Sequence, residues 1–458
     1  MLIERLFSRY TEIIPDYGCF LEYLHKAPAQ SFRINTLKAK RNDILLLLQD
    51  FKLKPLPYYQ DGFCLEERKS VGNQLTHNLG LIYGQEIASM IPVLVLDPKP
   101  NEVILDLCAA PGSKTTQICQ TMKNTGLLIA NELSRTRIGG LIDNLKRCGV
   151  LNEVIISLPG QRIDDFFPEY FDRILLDAPC SVEGTIRKSK AVLYHWGLKN
   201  IEKMARIQKG LITAGFRALR PGGTMVYSTC TIAPEENEGV ISYLLEKFPE
   251  AELLPINIPN FITRPSIVKW QGETFSPRIR DCVRILPQDN DTAPFFIAQI
   301  TKRGIAKHRF DHPGKISREG SIVDHFARRF GIDNQIFQYY SVFQEQDTYY
   351  IASPEVSTFS TKKTIRKGLE FGKLYDHEIK PDNDFVQIFG RQAKRNSYEM
   401  TERQLKKFLS GDKIEINPAP EIIEGFIIVT YKNLPIGVGR YNGKEVKSAI
   451  KMERRIKV

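Results

Sequence analysis

The sequence predicts an α/β fold: a mostly parallel sheet over residues 81–303, a small α+β region before it (1–80), a linker (304–320), and an α+β/β region after it (321–458). Three observations lead there. Apolar runs recur between 81 and 303, each followed by a turn and a helical stretch: VILDL, GLLIANE, EVIISL, FDRILLD and GGTMVYSTC. Strands alternating with helices read as βαβ units, which build parallel sheets. The stretch LDLCAAPGSKTTQI, Leu105 to Ile118, passes from a short apolar strand through a turn of small residues into a helix. The segment from Gly304 to Ser317 is polar and basic and is broken by Pro313-Gly314, as a linker would be.

Taken in order, the first region mixes amphipathic helix (Ile3–Ile14, Asp43–Leu48) with short strands and Pro-rich turns. Ser31 to Thr36 alternates apolar and polar residues, which predicts a half-buried strand with Arg33 and Asn35 on one face. Pattern alone favours a solvated face there. The central strand, Val103–Leu107, leads into Cys108, Ala109, Ala110, Pro111, Gly112 and Ser113, and a helix follows from Lys114. Small side chains let a ligand approach the backbone, and the N–H groups of a first helical turn attract polar groups. The turn is not a phosphate-binding P-loop, because Ser113 separates Gly112 from Lys114 and the first glycine is missing. The dinucleotide pattern G-x-G-x-x-G is absent as well, which argues against NAD or FAD.

In an open α/β sheet, ligands bind beyond the carboxyl ends of the strands. The second strand ends in Glu132, twenty residues past Gly112, the offset at which an acid accepts bonds from ribose hydroxyls. A later strand ends in Asp177-Ala178-Pro179-Cys180, and another in Thr229-Cys230. A lone cysteine at a strand end is ordinarily packing. Two, beside a carboxylate and a ligand turn, point instead to chemistry. A thiolate adds readily to an electron-poor ring carbon, and positive charge nearby favours the thiolate. Lys114, Arg187 and Lys188 are candidate sources of that charge. A carboxylic acid at the ring nitrogen would draw electrons from the ring, and the second thiol would help release the adduct. That is a route for alkylating an inert pyrimidine carbon.

Composition sets the frame. The chain is 42% hydrophobic, enough for a real core, and carries a net charge of +11. A basic chain suggests a polyanionic partner, most simply nucleic acid, although surplus surface lysine gives the same count. The eight cysteines form no C-x-x-C pair, so neither a disulfide framework nor a metal site is expected. Glu4, Arg5 and Arg9 interrupt the apolar start, and no apolar run is long enough to span a bilayer. The expectation is a cytoplasmic protein without a signal peptide or membrane contact. In the last region, basic segments (Arg391, Lys394, Arg395; Lys406, Lys407; Lys444 to Lys457) interleave with Phe385, Phe389, Tyr398, Tyr431 and Tyr441, a set that suits an RNA-contacting surface or a solvated face.

These motifs carry a resemblance. LDLCAAPGSKT, ILLDAPCSVEGTIRK and YSTCTIAPEENEGVI resemble, in order and spacing, the motifs of the RNA cytosine-5 methyltransferases of the Nol1/Nop2/Sun family. The resemblance implies a class I methyltransferase (Rossmann-like) fold and S-adenosylmethionine as cofactor. It implies that Cys230 attacks carbon 6 of cytosine, that Asp177 bonds the base near ring nitrogen 3 and lies close to the cofactor, and that Cys180 assists release. Residues 108–114 would hold the amino-acid end of the cofactor and Glu132 its ribose. LIYGQEIASMIPVLVLDPKP and RINT resemble flanking elements of the family, which makes 1–80 an RNA-binding domain. LPIGVGRYNGKEVKSAI onward resembles the PUA-like RNA-binding end of the bacterial small-subunit rRNA enzymes of F type, so 16S rRNA or the small ribosomal subunit is the implied partner, with no metal. A tRNA substrate, a non-catalytic ribosome-assembly factor, and a methyltransferase acting on protein or small molecules are the alternatives. Two departures stand out. Leu158-Pro159-Gly160 replaces the Phe-Asp-Gly whose Asp lies near the adenine, and Val182 replaces the glycine of Pro-Cys-Ser-Gly.

Overall fold

The computed structural model describes residues 2–66, 74–190, 196–305, 316, 320–375, 378–417, 420–450 and 455. Its centre is a ten-stranded sheet. Five parallel strands form the middle: β1 (Val103–Asp106), β2 (Leu127–Asn131), β3 (Glu153–Ile156), β4 (Phe171–Asp177) and β5 (Leu219–Thr229). They lie in the order β5-β4-β1-β2-β3, and the antiparallel β6 (Phe295–Lys302) continues the sheet beside β5. The apolar runs of the sequence are these strands. In register, Leu105 of β1 sits between Ile129 of β2 and Ile174 of β4.

Neighbouring residues along each strand enter different cores. Leu105, Ile129, Ile174 and Met225 join one cluster; Ile104, Leu128, Leu175 and Val226 join the other. A sheet buried on both faces needs apolar runs rather than alternation, and that is why these strands read as runs. Helices α1 (Ile87–Leu96), α2 (Ser113–Thr121) and α3 (Arg135–Cys148) cover the second face, and α4 (Leu198–Ala218) covers the first. The chain winds outward from β1 to β3, then returns to β4 on the other side of β1. The crevice beyond the carboxyl ends of β1 and β4 is therefore a topological switch point, where open α/β sheets bind ligands.

The first region differs from expectation in two places. One helix over Ile3–Ile14 is instead an α-helix, Leu2–Phe7, followed by a 3-10 turn, Ser8–Tyr10. Phe7 and Tyr10 are buried, so the chain bends to fit the core rather than continuing as a surface helix. The strand Ser31–Ile34 lies inside a four-stranded antiparallel sheet between Tyr59–Leu65 and Ile82–Gly84, and all four of its residues are buried. Its polar face is not solvated: Arg33 is 0% exposed because α2 packs over it.

Most of the linker, residues 306–315 and 317–319, lies outside the described residues, as do 451–454 and 456–458 of the basic end. The last region holds a four-stranded and a five-stranded sheet. Phe385 and Phe389 are core residues, not an RNA-facing pair: Phe385 stacks on Phe371 with ring centroids 4.0 Å apart, and both pack with Phe337. Tyr441 is buried, and Tyr398 and Tyr431 are half-buried against a core cluster. One strand of this region, Thr364–Lys367, pairs antiparallel with β3 and becomes the edge of the central sheet. Arg366 on it meets the buried Glu153 of β3 at 3.3 Å.

Candidate active site

The turn after β1 is fixed by the strands beside it. Ala109 N–H donates to Asn131 O at the end of β2 (3.0 Å), and Gly112 N–H donates to Ala109 O (2.8 Å). Asn131 staples three strand ends, donating to Leu107 O and Leu158 O and accepting from Leu158 N–H. Gly112 takes φ +104, and a Cβ there would lie 3.0 Å from Leu141 of α3. Both the positive φ and the close helix packing require glycine. The first turn of α2 is held from behind by Arg33, which donates to Gln120 Oε1 (2.6 Å), Ser113 O (3.4 Å) and Thr116 Oγ1.

Beyond the strand ends lies a cleft of about 670 Å³, within the range of small-molecule sites. Cys108, Ala110, Glu132, Asp177, Cys180 and Cys230 line it together. Ala109, Pro111, Gly112, Ser113 and Lys114 are not among its walls; they shape the turn and the helix start. Glu132 is buried, accepting from Ser134 N–H (2.8 Å) and Ala110 N–H (3.3 Å), with Arg137 Nη1 at 3.4 Å. Leu133, Pro159, Ile207 and Leu211 give the same cleft apolar surface. Two carboxylates with flat apolar walls suit a nucleoside-type ligand bearing hydroxyls and a positive charge. Asp164, the acid five residues past Pro159, pairs with Arg217 at 3.5 Å and is not a wall residue, so it does not supply the carboxylate that Pro159 replaces.

Lys114 does not stand free beside the thiols. Its buried Nζ bonds Asp177 Oδ2 (2.6 Å) and Ser89 Oγ (2.9 Å). Ser228 Oγ donates to Asp177 Oδ1 (2.8 Å), so the carboxylate is clamped from both sides. Arg187 is committed to Asp291 (2.6 Å) and Thr292 O (3.0 Å), and Lys188 lines a separate cleft with residues 27–31 and 84–86. Burial pushes Asp106 at the end of β1 up to about 7, although Thr115 donates to its Oδ2 (2.7 Å). Its Oδ1 is buried without a hydrogen-bond partner among the described residues.

The sulfur atoms of Cys180 and Cys230 are 3.4 Å apart. The bond to Cys230, and then burial, hold the Cys180 thiol well above its ordinary value. Either sulfur can be the donor of this contact. Val182 forms the wall next to it, with φ 56 and ψ 26, left-handed, and 39% exposed. A β-branched residue rarely adopts that conformation. Val182→Gly is expected to raise stability by up to about 1 kcal/mol in urea denaturation, because glycine removes the left-handed strain. An unchanged or lower midpoint would mean that the loop carries no such strain.

Arg33, Asn131, Arg137, Glu183 and Glu236 organise the site and were not singled out for it in the sequence. Arg33 had a signal in RINT, and Glu183 and Glu236 lie within the two cysteine motifs, next to the residues that drew the attention there.

The profile described as "16S rRNA methyltransferase RsmB/F" matches residues 93–301, "N-terminal domain of 16S rRNA methyltransferase RsmF" matches 3–87, and "Methyltransferase RsmF PUA domain" matches 395–456. The "Ribosomal RNA small subunit methyltransferase F" of Pectobacterium atrosepticum is 32% identical over 94% of this chain and 90% of its own. The "tRNA (cytosine(49)-C(5))-methyltransferase" of Pyrococcus abyssi is 44% identical over 65% of this chain and 96% of its own. A solved methyltransferase homologue from Pyrococcus horikoshii superposes with a TM-score of 0.58 at 37% identity, covering 64% of this chain and 93% of that one.

Proposed function

The chain belongs to the RsmB/F family of 16S rRNA methyltransferases, with a class I fold and S-adenosylmethionine as cofactor, and from that premise we propose that it methylates carbon 5 of cytosine in small-subunit rRNA through a covalent bond to Cys230. The observation that carries the reading is the pair of sulfurs 3.4 Å apart in the cleft that also holds the turn after β1 and Glu132. The turn 108–114 and Glu132 would hold the cofactor, which supplies an electrophilic methyl group.

The residues divide the work as follows. Cys230 is the attacking sulfur that the resemblance of the Thr-Cys motif implies, and Cys180 lies 3.4 Å from it. Cys230, its proton lost to water, bonds through Sγ to carbon 6 of the cytosine, and the carbon 5–carbon 6 π pair moves onto carbon 5, where it takes up the methyl group. Asp177, held by Lys114 and Ser228, meets the base near ring nitrogen 3. After methylation, water takes the carbon 5 proton, the C–H electron pair restores the carbon 5–carbon 6 double bond, and the carbon–sulfur bond breaks with Cys230 leaving as a thiolate, a departure that the neighbouring Cys180 thiol assists. Carbon 6 is shielded in a stacked helix, so the target must be single-stranded or flipped out.

The extent of the match favours rRNA over tRNA. The relative named for rRNA aligns with 94% of the chain, C-terminal sheets included, whereas the one named for tRNA aligns with 65%. Among the described residues no helix is long and apolar enough to cross a membrane. A small-subunit rRNA substrate, as in the relative named for it, would put the enzyme with the cytoplasmic ribosome.

The test is methyl transfer from labelled cofactor to small subunits, naked 16S rRNA and tRNA, followed by nucleoside analysis. 5-Methylcytosine in rRNA is expected; methylation of tRNA alone would reverse the substrate, and a methyl group elsewhere on the base would remove the mechanism. Cys180→Ala should accumulate an RNA–protein adduct that survives denaturing electrophoresis. Rapid turnover without adduct contradicts its part in release.

A further inference from the structure

The loops that carry the two cysteines are tied to each other by crossed carboxylates. Glu183 follows Cys180, yet its Oε2 accepts from Thr231 Oγ1 (2.8 Å) and Ile232 N–H (3.1 Å), directly after Cys230. Glu236 follows Cys230, yet it accepts from Ser181 N–H (3.0 Å) and Ser181 Oγ (2.5 Å), directly after Cys180. Ser181 Oγ and Thr231 Oγ1 are themselves 2.9 Å apart, so the two ties lie side by side. Gly184 N–H donates to Cys230 O (2.7 Å), and a Cβ on Gly184 would lie 2.6 Å from that oxygen.

Both carboxylates are anchored outward as well. Glu183 Oε1 accepts from Tyr10 OH and Trp196 Nε1, each at 2.7 Å. Glu236 Oε2 accepts from Gln208 Nε2 of α4 (2.8 Å). Glu183 is 1% exposed and Glu236 is 0% exposed, and the donors named are all neutral. Burial pushes Glu236 up to about 7 even with these donors in place. Two buried acids without a cation among those partners are a costly way to stabilise a fold. They are an effective way to fix hydroxyl directions, because their oxygens accept from each donor named.

We propose that Glu183 and Glu236 are positioning residues for the methyl transfer: each is carried by one cysteine loop and straps the other, and together they set the spacing of Cys180 and Cys230. This rests on the covalent reading above, since two sulfurs acting on adjacent atoms of one ring must hold their relative place. A misplacement of about 1 Å at a reacting group can cost about 10²-fold in rate. Neither carboxylate touches the base; each acts through the loop it ties.

Glu183→Gln and Glu236→Gln keep the shape of the side chain but turn one acceptor into a donor. Each is expected to lower kcat 10-fold or more on the scale of that misplacement, roughly 10–100-fold, with KM for RNA and cofactor affinity changed less than about threefold. A second readout needs no RNA: diamide oxidises neighbouring thiols to a disulfide, and the rate of the Cys180–Cys230 bridge, mapped by mass spectrometry, reports the spacing of the sulfurs. Bridging should slow at least about fivefold in both variants. Thr231→Val and Ser181→Ala, which delete single donors, serve where a glutamine variant fails to fold and should slow bridging in the same direction. Wild-type rates of both bridging and turnover, with only a lowered denaturation midpoint, would make the glutamates structural and overturn the proposal. Should wild-type protein not methylate cytosine, the covalent reading falls on that result, and the bridging rates still decide whether the straps set the spacing.

Discussion

Replacing Cys230 by alanine is expected to abolish methyl transfer, with kcat falling by at least about 10⁴-fold, the scale on which loss of a nucleophile acts in covalent enzymes. Carbon 5 of cytosine is a poor nucleophile until a sulfur adds to carbon 6, and positioning a methyl donor cannot replace that addition. The substitution removes one half-exposed sulfur from the cleft wall, so the fold and cofactor affinity should hold. Single-turnover assays on labelled RNA, with cofactor binding by calorimetry, separate the two. No adduct should form, in contrast to Cys180→Ala. Residual turnover within tenfold of wild type, about 1.4 kcal/mol of barrier, would mean that Cys230 is not the attacking atom.

The largest effect on stability is expected at Arg33. Its guanidinium is wholly buried and reaches Gln85, Gln120, Thr116 and Ser113, while Tyr83 lies 5.0 Å from Cζ. Arg33→Met keeps most of the bulk but leaves the acceptors of Gln85 and Gln120 facing an apolar group. The expected loss is about 3 kcal/mol, from stranded buried acceptors and a broken network. Urea denaturation with an unchanged slope checks it. Because Arg33 also holds the first turn of α2, cofactor affinity should fall roughly tenfold, or about 1.4 kcal/mol. A loss below about 1 kcal/mol would mean that the pocket readily refills with water.

Arg33 also marks where sequence reading stops. Alternation in SFRINT identifies a strand and puts Arg33 and Asn35 on one face, but says nothing of what covers that face; α2, eighty residues away, does. The same limit applies to Phe385 and Phe389, whose spacing among basic residues fits a surface as well as a core. By contrast, the five parallel strands were legible because a sheet covered on both faces must be apolar throughout, and the turn 108–114 because small residues between strand and helix have few other uses. The thiols were legible as a pair at equivalent strand ends. Which cation stood near them was not, since Lys114 and Arg187 spend their charge on Asp177 and Asp291. Glu183 and Glu236 look like ordinary surface acids in a one-dimensional string; only the folded loops show that each belongs to the other cysteine.

The strand Thr364–Lys367 has a consequence for how the protein holds together. Its ladder with Glu153–Ile156 is extended by Gly368 N–H to Glu153 O (3.1 Å) and Ser157 N–H to Lys363 O (3.3 Å). A chain ended before residue 364 would bare that row of donors and acceptors and deprive Glu153 of its guanidinium. A naked rim of this kind recruits strands from other molecules. The tail therefore guards the catalytic sheet against self-association, whatever else it binds.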